Sequence, residues 1–211
     1  TGTQANATVG HGLGVAPKFI ISKCRSASNG WPIYHYSLTA TDFVRLNQTS
    51  ATADNAAVWN DTEPTSTVFS IGANDENNKS SATQLAYCFA EKQGYSKFGS
   101  YTGNANADGP FAYTGFKPAF LIIKNTSDSD DQWLMWDNKR SPTNPVDDYL
   151  EPSTNSAEYA NSNWAIIDFV SNGFKLRNGD ISYNQSGYKY IYMAFAESPF
   201  TTSDGVPTTA R

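Results

Sequence analysis

Charge is scarce in this chain. Asp, Glu, Lys and Arg make up 17% of its 211 residues, where an ordinary soluble domain carries about 25%. The net charge of −5 and the isoelectric point near 4.9 argue against a phosphate-binding surface, because nucleic-acid binders need clustered Lys and Arg. There are two histidines, His11 and His35, and neither has a second His or a Cys at metal-ligand spacing, which argues against zinc. The two cysteines, Cys24 and Cys88, are far too few for a disulfide-dense scaffold. They read as buried free thiols, with a bridge left open should their strands be neighbours. No apolar run approaches the roughly 18 residues of a membrane span, no signal-peptide pattern opens the chain, and membrane insertion is not expected. The Gly run around His11 lacks a phosphate-loop Lys, and no Gly-x-Ser-x-Gly elbow occurs, so the residues make no positive case for an enzyme.

What the chain has is aromatics, at 14%, set among Asn, Ser, Thr and Gly. It also has an internal repeat. Thr1-Gly2 and the run Gly14 to Lys23 lie over Thr102-Gly103 and Gly115 to Lys124. Further on, Trp31 meets Trp133, Phe69 meets Phe174, and Cys88 to Glu91 meet Ala194 to Glu197. Gly, Pro and strand-core aromatics survive in both copies, while polar side chains share little. Apolar residues alternate with period two, which predicts strands near 18–23, 31–38, 42–47, 67–72 and 83–91. In the second copy they are expected near 118–124, 132–137, 147–150, 164–169, 173–177 and 187–196. No window shows a helical stripe. The expectation is an all-β chain of two tandem β-sandwich lobes, jelly-roll or lectin-like, packed together: residues 1–96, 97–200, and an extended tail at 201–211. The segment Gly94 to Gly103 reads as a short aromatic link between the lobes.

Candidate chemistry is sparse. Asp128, Asp130 and Asp131 could offer oxygens to Ca²⁺, as could the loop Asn74 to Asn78, although EF-hand spacing is absent. Beyond that weak Ca²⁺ option no cofactor is expected. Carboxylates such as Asp61/Glu63, Asp147/Asp148 and Asp168 are not singled out by strand alternation. Glu91 and Glu197, the acids kept in both copies, read as strand-end structural residues. Among the aromatics, Trp31 and Trp133 read as core, and Trp164 joins them in a wider set that could include a sugar-stacking platform. Trp59 beside Asn60 and Asp61, and Trp136 beside Asp137 and Asn138, are the stronger candidates for a glycan site, and Tyr34 and Tyr36 belong to the same candidate set. Six Asn-X-Ser/Thr sequons, at Asn6, Asn47, Asn60, Asn78, Asn125 and Asn184, read as consequences of composition.

Several longer strings resemble the duplicated C-terminal β domains of bacteriophage tail-fibre-like and virion structural proteins. They are His11 to Ile21, Lys97 to Asn104, Gly109 to Phe120, Ser171 to Arg177 and Tyr190 to Phe200. The resemblance covers nearly the whole chain. It implies a virion-surface domain, trimeric in many fibres, that contacts other virion subunits and recognises a host-surface polysaccharide or receptor. A structural capsid or tail decoration without sugar affinity is the alternative, and a polysaccharide depolymerase is the third.

Overall fold

Short period-two runs closed by Gly, Pro and Asn can form only short strands, and fourteen of them are found among the described residues. The computed structural model describes residues 1–197; the expected tail at 201–211 lies outside them. The chain is all-β, and the three helices among the described residues, α1 (Ala56–Trp59), α2 (Asp75–Asn78) and α3 (Ile181–Asn184), are single turns. It divides into two compact units, Thr1–Ala90 and Glu91–Arg211.

The first unit contains β1 (Ala7–Gly10), β2 (Phe19–Cys24), β3 (Pro32–His35), β4 (Asp42–Arg45), β5 (Ala53–Asp54), β6 (Val68–Ile71) and β7 (Gln84–Phe89). One sheet runs β5-β4-β3-β2-β7 and a second pairs β1 with β6. The second unit contains β8 (Ser96–Thr102), β9 (Phe111–Tyr113), β10 (Pro118–Asn125), β11 (Trp133–Asp137), β12 (Ile167–Val170), β13 (Gly173–Leu176) and β14 (Lys189–Ala196). Its sheets run β11-β10-β14-β8 and β12-β13-β9. Side chains from both sheets of a unit meet in one core. Ile20, Tyr34 and Trp59 join Phe69 in the first unit, and Leu121, Trp136 and Tyr192 join Phe174 in the second.

Three expectations change. The segment read as a link is strand β8, paired along its whole length with β14. The unit boundary therefore falls at Ala90/Glu91 instead of 96/97, because Glu91 holds Lys97 at 2.7 Å and Lys92 bridges Ser96. The strand expected at 147–150 is reduced to isolated bridges at Tyr149 and Leu150. The cysteines are free. Although β2 and β7 are neighbours, Cys88 lies opposite Ile20 and Cys24 opposite Gln84. Four positions along a strand are about 13 Å, beyond the reach of a disulfide.

The units share one polar device that the strand pattern hides. Asn78 ends α2 and Asn184 ends α3, and both are buried. The Asn78 amide donates to the carbonyls of Ala5 and Gly72, and its Oδ1 accepts from the Thr3 N–H. The Asn184 amide donates to Asn106 and Asn178, and its Oδ1 accepts from the Asn104 N–H. Gly2 and Gly103 run so close past these turns that a Cβ would sit 2.1 Å from the Lys79 carbonyl oxygen or 2.2 Å from that of Gln185. These sequons, like buried Asn125, are spent inside the fold and cannot carry a glycan there.

Candidate functional site

The tryptophans favoured by the sequence are core. Trp59 is 2% exposed and Trp136 0%. Trp59 packs edge-on to Tyr34 and Phe69, while the indole N–H of Trp136 donates to the Ala165 carbonyl at 3.0 Å. Neither indole offers a face to a sugar. Large rings on short strands and single helical turns gain more by filling the core than by facing water, even with Asn and Asp as sequence neighbours. Tyr34 is buried too, its hydroxyl donating to Glu63 at 2.5 Å. Tyr36 is half-buried, stacked on His35 with the Lys18 ammonium over its ring. Asn60 and Asp61 turn the chain after α1 with φ of 53° and 44°. Asp137 accepts from the backbone of Lys139 and Arg140 and pairs with the Arg140 guanidinium. Asn138 donates to Glu197, which also pairs with Lys139.

In the expected Ca²⁺ loop, oxygens of Asp128 and Asp131 are engaged by protein groups. Asp131 is buried and accepts from the Asn125 amide, and its carbonyl holds the ammonium of buried Lys124 at 3.0 Å. Asp128 caps the Asp130 N–H. Lys124 supplies the positive charge that a cation would have brought. Among the described residues no three His, Cys, Asp or Glu side chains gather into a group that could hold a metal ion. The carboxylates considered for catalysis are dispersed: Asp168 pairs with Arg177, and Asp148 accepts from the Asn161 N–H.

An open cavity of about 630 Å³ lies elsewhere, in the second unit, where the chain between β11 and β12 makes a long excursion. Its walls carry Tyr149, Tyr159 and Trp164 together with Glu151, Glu158, Asn161, Asn163, Ser162, Asp180 and Ser182. Tyr149 and Tyr159 exchange backbone hydrogen bonds at 3.0 Å, which sets their rings in parallel 4.8 Å apart. Tyr149 in turn rests on Trp136, so the favoured tryptophan sits one layer behind the site. Trp164 is 69% exposed, the most exposed large apolar side chain described. Its backbone is nonetheless pinned. Ser162 Oγ accepts from its N–H, Ala165 is held by Trp136, and the Tyr183 hydroxyl bonds both backbone groups of Ile166. A fixed loop thus holds an indole face in water.

The polar groups around these rings differ in freedom. Asp180 spends an oxygen on the Ser182 N–H at the start of α3. Glu158 pairs with the Arg140 guanidinium. Glu151 is half-buried, and burial raises its pKa against hydrogen bonds from Thr154 and Tyr159 that lower it. Burial, reinforced by Glu151, pushes the Tyr149 hydroxyl up to about 12, so it remains a neutral donor. The result is a flat aromatic wall beside amides, hydroxyls and one half-buried carboxyl. Only Trp164 of this set was visible as a candidate in the sequence. The signal for the remainder is the register drift between Trp133 and Phe174, which marks extra loop length in the second copy.

A family model described as a domain of unknown function, DUF7483, matches residues 1–199. No curated protein and no solved structure matches the chain.

Proposed function

The chain belongs to the DUF7483 family, whose description names no activity, and from the geometry of its second unit we propose that it is a glycan-binding domain. The observation that carries the reading is Trp164, pinned by its backbone and 69% exposed on the wall of a cavity that also holds Tyr159, Asn161 and Asn163. Pyranose rings present apolar C–H faces that stack on indole and phenol, while their hydroxyls exchange hydrogen bonds with amides and carboxyls. The partner is a host-surface polysaccharide, met by a virion-surface domain of a phage fibre, as the resemblance to tail-fibre-like proteins suggests. Other virion subunits, in a trimer or otherwise, belong to the same proposal. Binding is favoured over cleavage because Glu158 and Asp180 are already committed to Arg140 and the Ser182 N–H. Among the described carboxylates lining the cavity this leaves Glu151 without an ion pair or capping bond, whereas glycoside hydrolysis uses an opposed pair.

Titration against arrayed bacterial surface polysaccharides tests the reading. Saturable binding that Trp164→Ala weakens at least about tenfold, with the fold retained, is the expected result. Binding unaffected by Trp164→Ala removes this site. The structural-decoration alternative draws on Phe111 and Tyr113, which are 46% and 63% exposed on β9. It requires silence across the array and an assembly that Phe111→Ser and Tyr113→Ser disrupt.

A further inference from the structure

β7 and β14 occupy the same place in their units, yet among the described residues β14 is paired on both sides and β7 on one. β7 lies against β2 as β14 lies against β10, with Phe89 opposite Phe19 and Phe195 opposite Phe120. On its other side β14 holds β8 over seven positions; among the described strands β7 ends its sheet. The exposures follow. Ile191 and Met193 on β14 are 2% and 7% exposed, whereas Leu85 and Tyr87 at the matching positions of β7 are 37% and 52% exposed.

The ladder shows which groups are on offer. The Arg25 N–H donates to the Thr83 carbonyl at 2.8 Å, as the Thr126 N–H donates to Lys189 at 2.9 Å. Bonding alternates along an antiparallel strand, so Leu85 and Tyr87 use their backbone groups on β2 while Ala86 and Cys88 turn theirs outward. In β14 the corresponding outward groups, on Tyr192 and Ala194, face β8.

The direction of entry is also set. Gly103, just after β8, donates its N–H to Tyr188 and accepts from the Gly187 N–H, both at 3.0 Å. Gly2 donates to Ala82 at 2.9 Å and accepts from Ser81 at 3.0 Å. Each Gly is further fixed by the buried Asn78 or Asn184 clamp. A chain running back from Gly2 is therefore aimed along β7 as β8 is aimed along β14.

We propose that the open edge of β7 is a strand-acceptor site. Its occupant is an antiparallel strand of the chemistry of β8, entering from the N-terminal side of Thr1 and bonding the outward groups of Ala86 and Cys88. The seat is completed by main-chain hydrogen bonds and by side chains covering Leu85 and Tyr87.

The test places Ser-Lys-Phe-Gly-Ser-Tyr, the sequence of residues 96–101, directly ahead of Thr1, so that Thr1 takes the part of Thr102. Hydrogen exchange of the Ala86 and Cys88 amides is the readout. Exchange slowed at least about tenfold, independent of protein concentration, is expected. A second extension, Ser-Lys-Phe-Pro-Ser-Tyr, lacks the donor that Gly99 presents opposite Tyr192 and should restore fast exchange while leaving the folded chain untouched. Unchanged exchange with the first extension overturns the proposal. So does protection that grows with protein concentration, which would make a second copy the occupant.

Discussion

Across β4 and β5 of the first unit Phe43 faces Ala53, and at the matching place in the second unit Tyr149 faces Tyr159. The register that relates Phe69 to Phe174 also relates Trp59 to Trp164. Trp59 ends helix α1 and is buried beneath it, whereas Trp164 stands in a loop and faces water. One frame has thus been finished in two ways. The first unit closes its loop side with a helical turn and two paired strands. The second lengthens the same connection, drops both strands to bridges and leaves a cavity. Strand cores and Asn clamps recur in both units while the loops differ, as expected where the frame is held without the loops.

The sharpest break of this comparison is to truncate the two tryptophans. Trp59→Ala should cost about 3–5 kcal/mol, as core Trp truncations do, read from urea denaturation of the first unit. Trp164→Ala should change stability by no more than about 0.5 kcal/mol while weakening the proposed glycan binding at least about tenfold. A large stability loss at Trp164 would mean that its exposure is not available to a ligand. Equal tolerance at both positions would dissolve the contrast.

The Asn clamps test the opposite claim, that the frames are alike. Asn78→Ala and Asn184→Ala each leave two carbonyls and one N–H without their partner. With part of that loss recovered by water, each should destabilise its own unit by about 3 kcal/mol. Similar losses in the two denaturation profiles sharpen the likeness; a loss in one alone breaks it.

A smaller effect separates the two β2-type strands by pH. Burial holds Lys124 down to about 8, against nearby Asp131 and Asp128, whose charges raise it. Its folded pKa is therefore below that of the unfolded chain, near 10.4. Between these values the unfolded state binds more protons, so stability should rise with pH from about 8 to 10.4. Lys124→Met removes the buried charge and should flatten that part of the profile. The difference between wild-type and variant urea midpoints at pH 7.5 and pH 10 measures it. A parallel pair of profiles would show that Lys124 is hydrated in solution.

Much of the frame was legible because period-two alternation is local. Phe19 to Cys24 and Tyr190 to Ala194 announce their faces without help from distant residues. β8 was not legible, since Gly99 and two serines dilute its pattern; its strand character comes from β14, against which Gly99 leaves room for the Tyr192 ring. The tryptophans favoured by the sequence lie in the core, and Trp136 sits one layer behind the cavity wall. Trp136 beside Asp137 looks like a sugar platform in sequence, yet alternation turns the indole inward, and Tyr149, Tyr159 and Trp164 carry the surface. Their meeting depends on a connection with little periodicity, where only three-dimensional closure brings residues 149, 159 and 164 together. The Asn clamps escaped for a related reason: a buried Asn and a sequon are the same letters.

The smallest difference concerns one sulfur. Cys88 on β7 stands where β14 has Ala194, each facing its unit's core across the neighbouring strand. Cys88 is half-buried and Ala194 fully buried, because β14 has β8 beside it and β7 has no such neighbour described. Cys88→Ala should therefore cost less than about 1 kcal/mol, and Ala194→Cys somewhat more, near 1 kcal/mol, since a sulfur must be forced between packed strands. Burial also pushes the Cys88 thiol up to about 11, so alkylation by iodoacetamide should be slow at pH 8 and climb toward pH 11. If β7 receives a strand as β14 does, the extended chain should alkylate more slowly still at every pH, and the two substitutions should converge in cost. Alkylation at the rate of an unstructured thiol would show that β7 frays from its sheet, and the likeness between the two strands would end there.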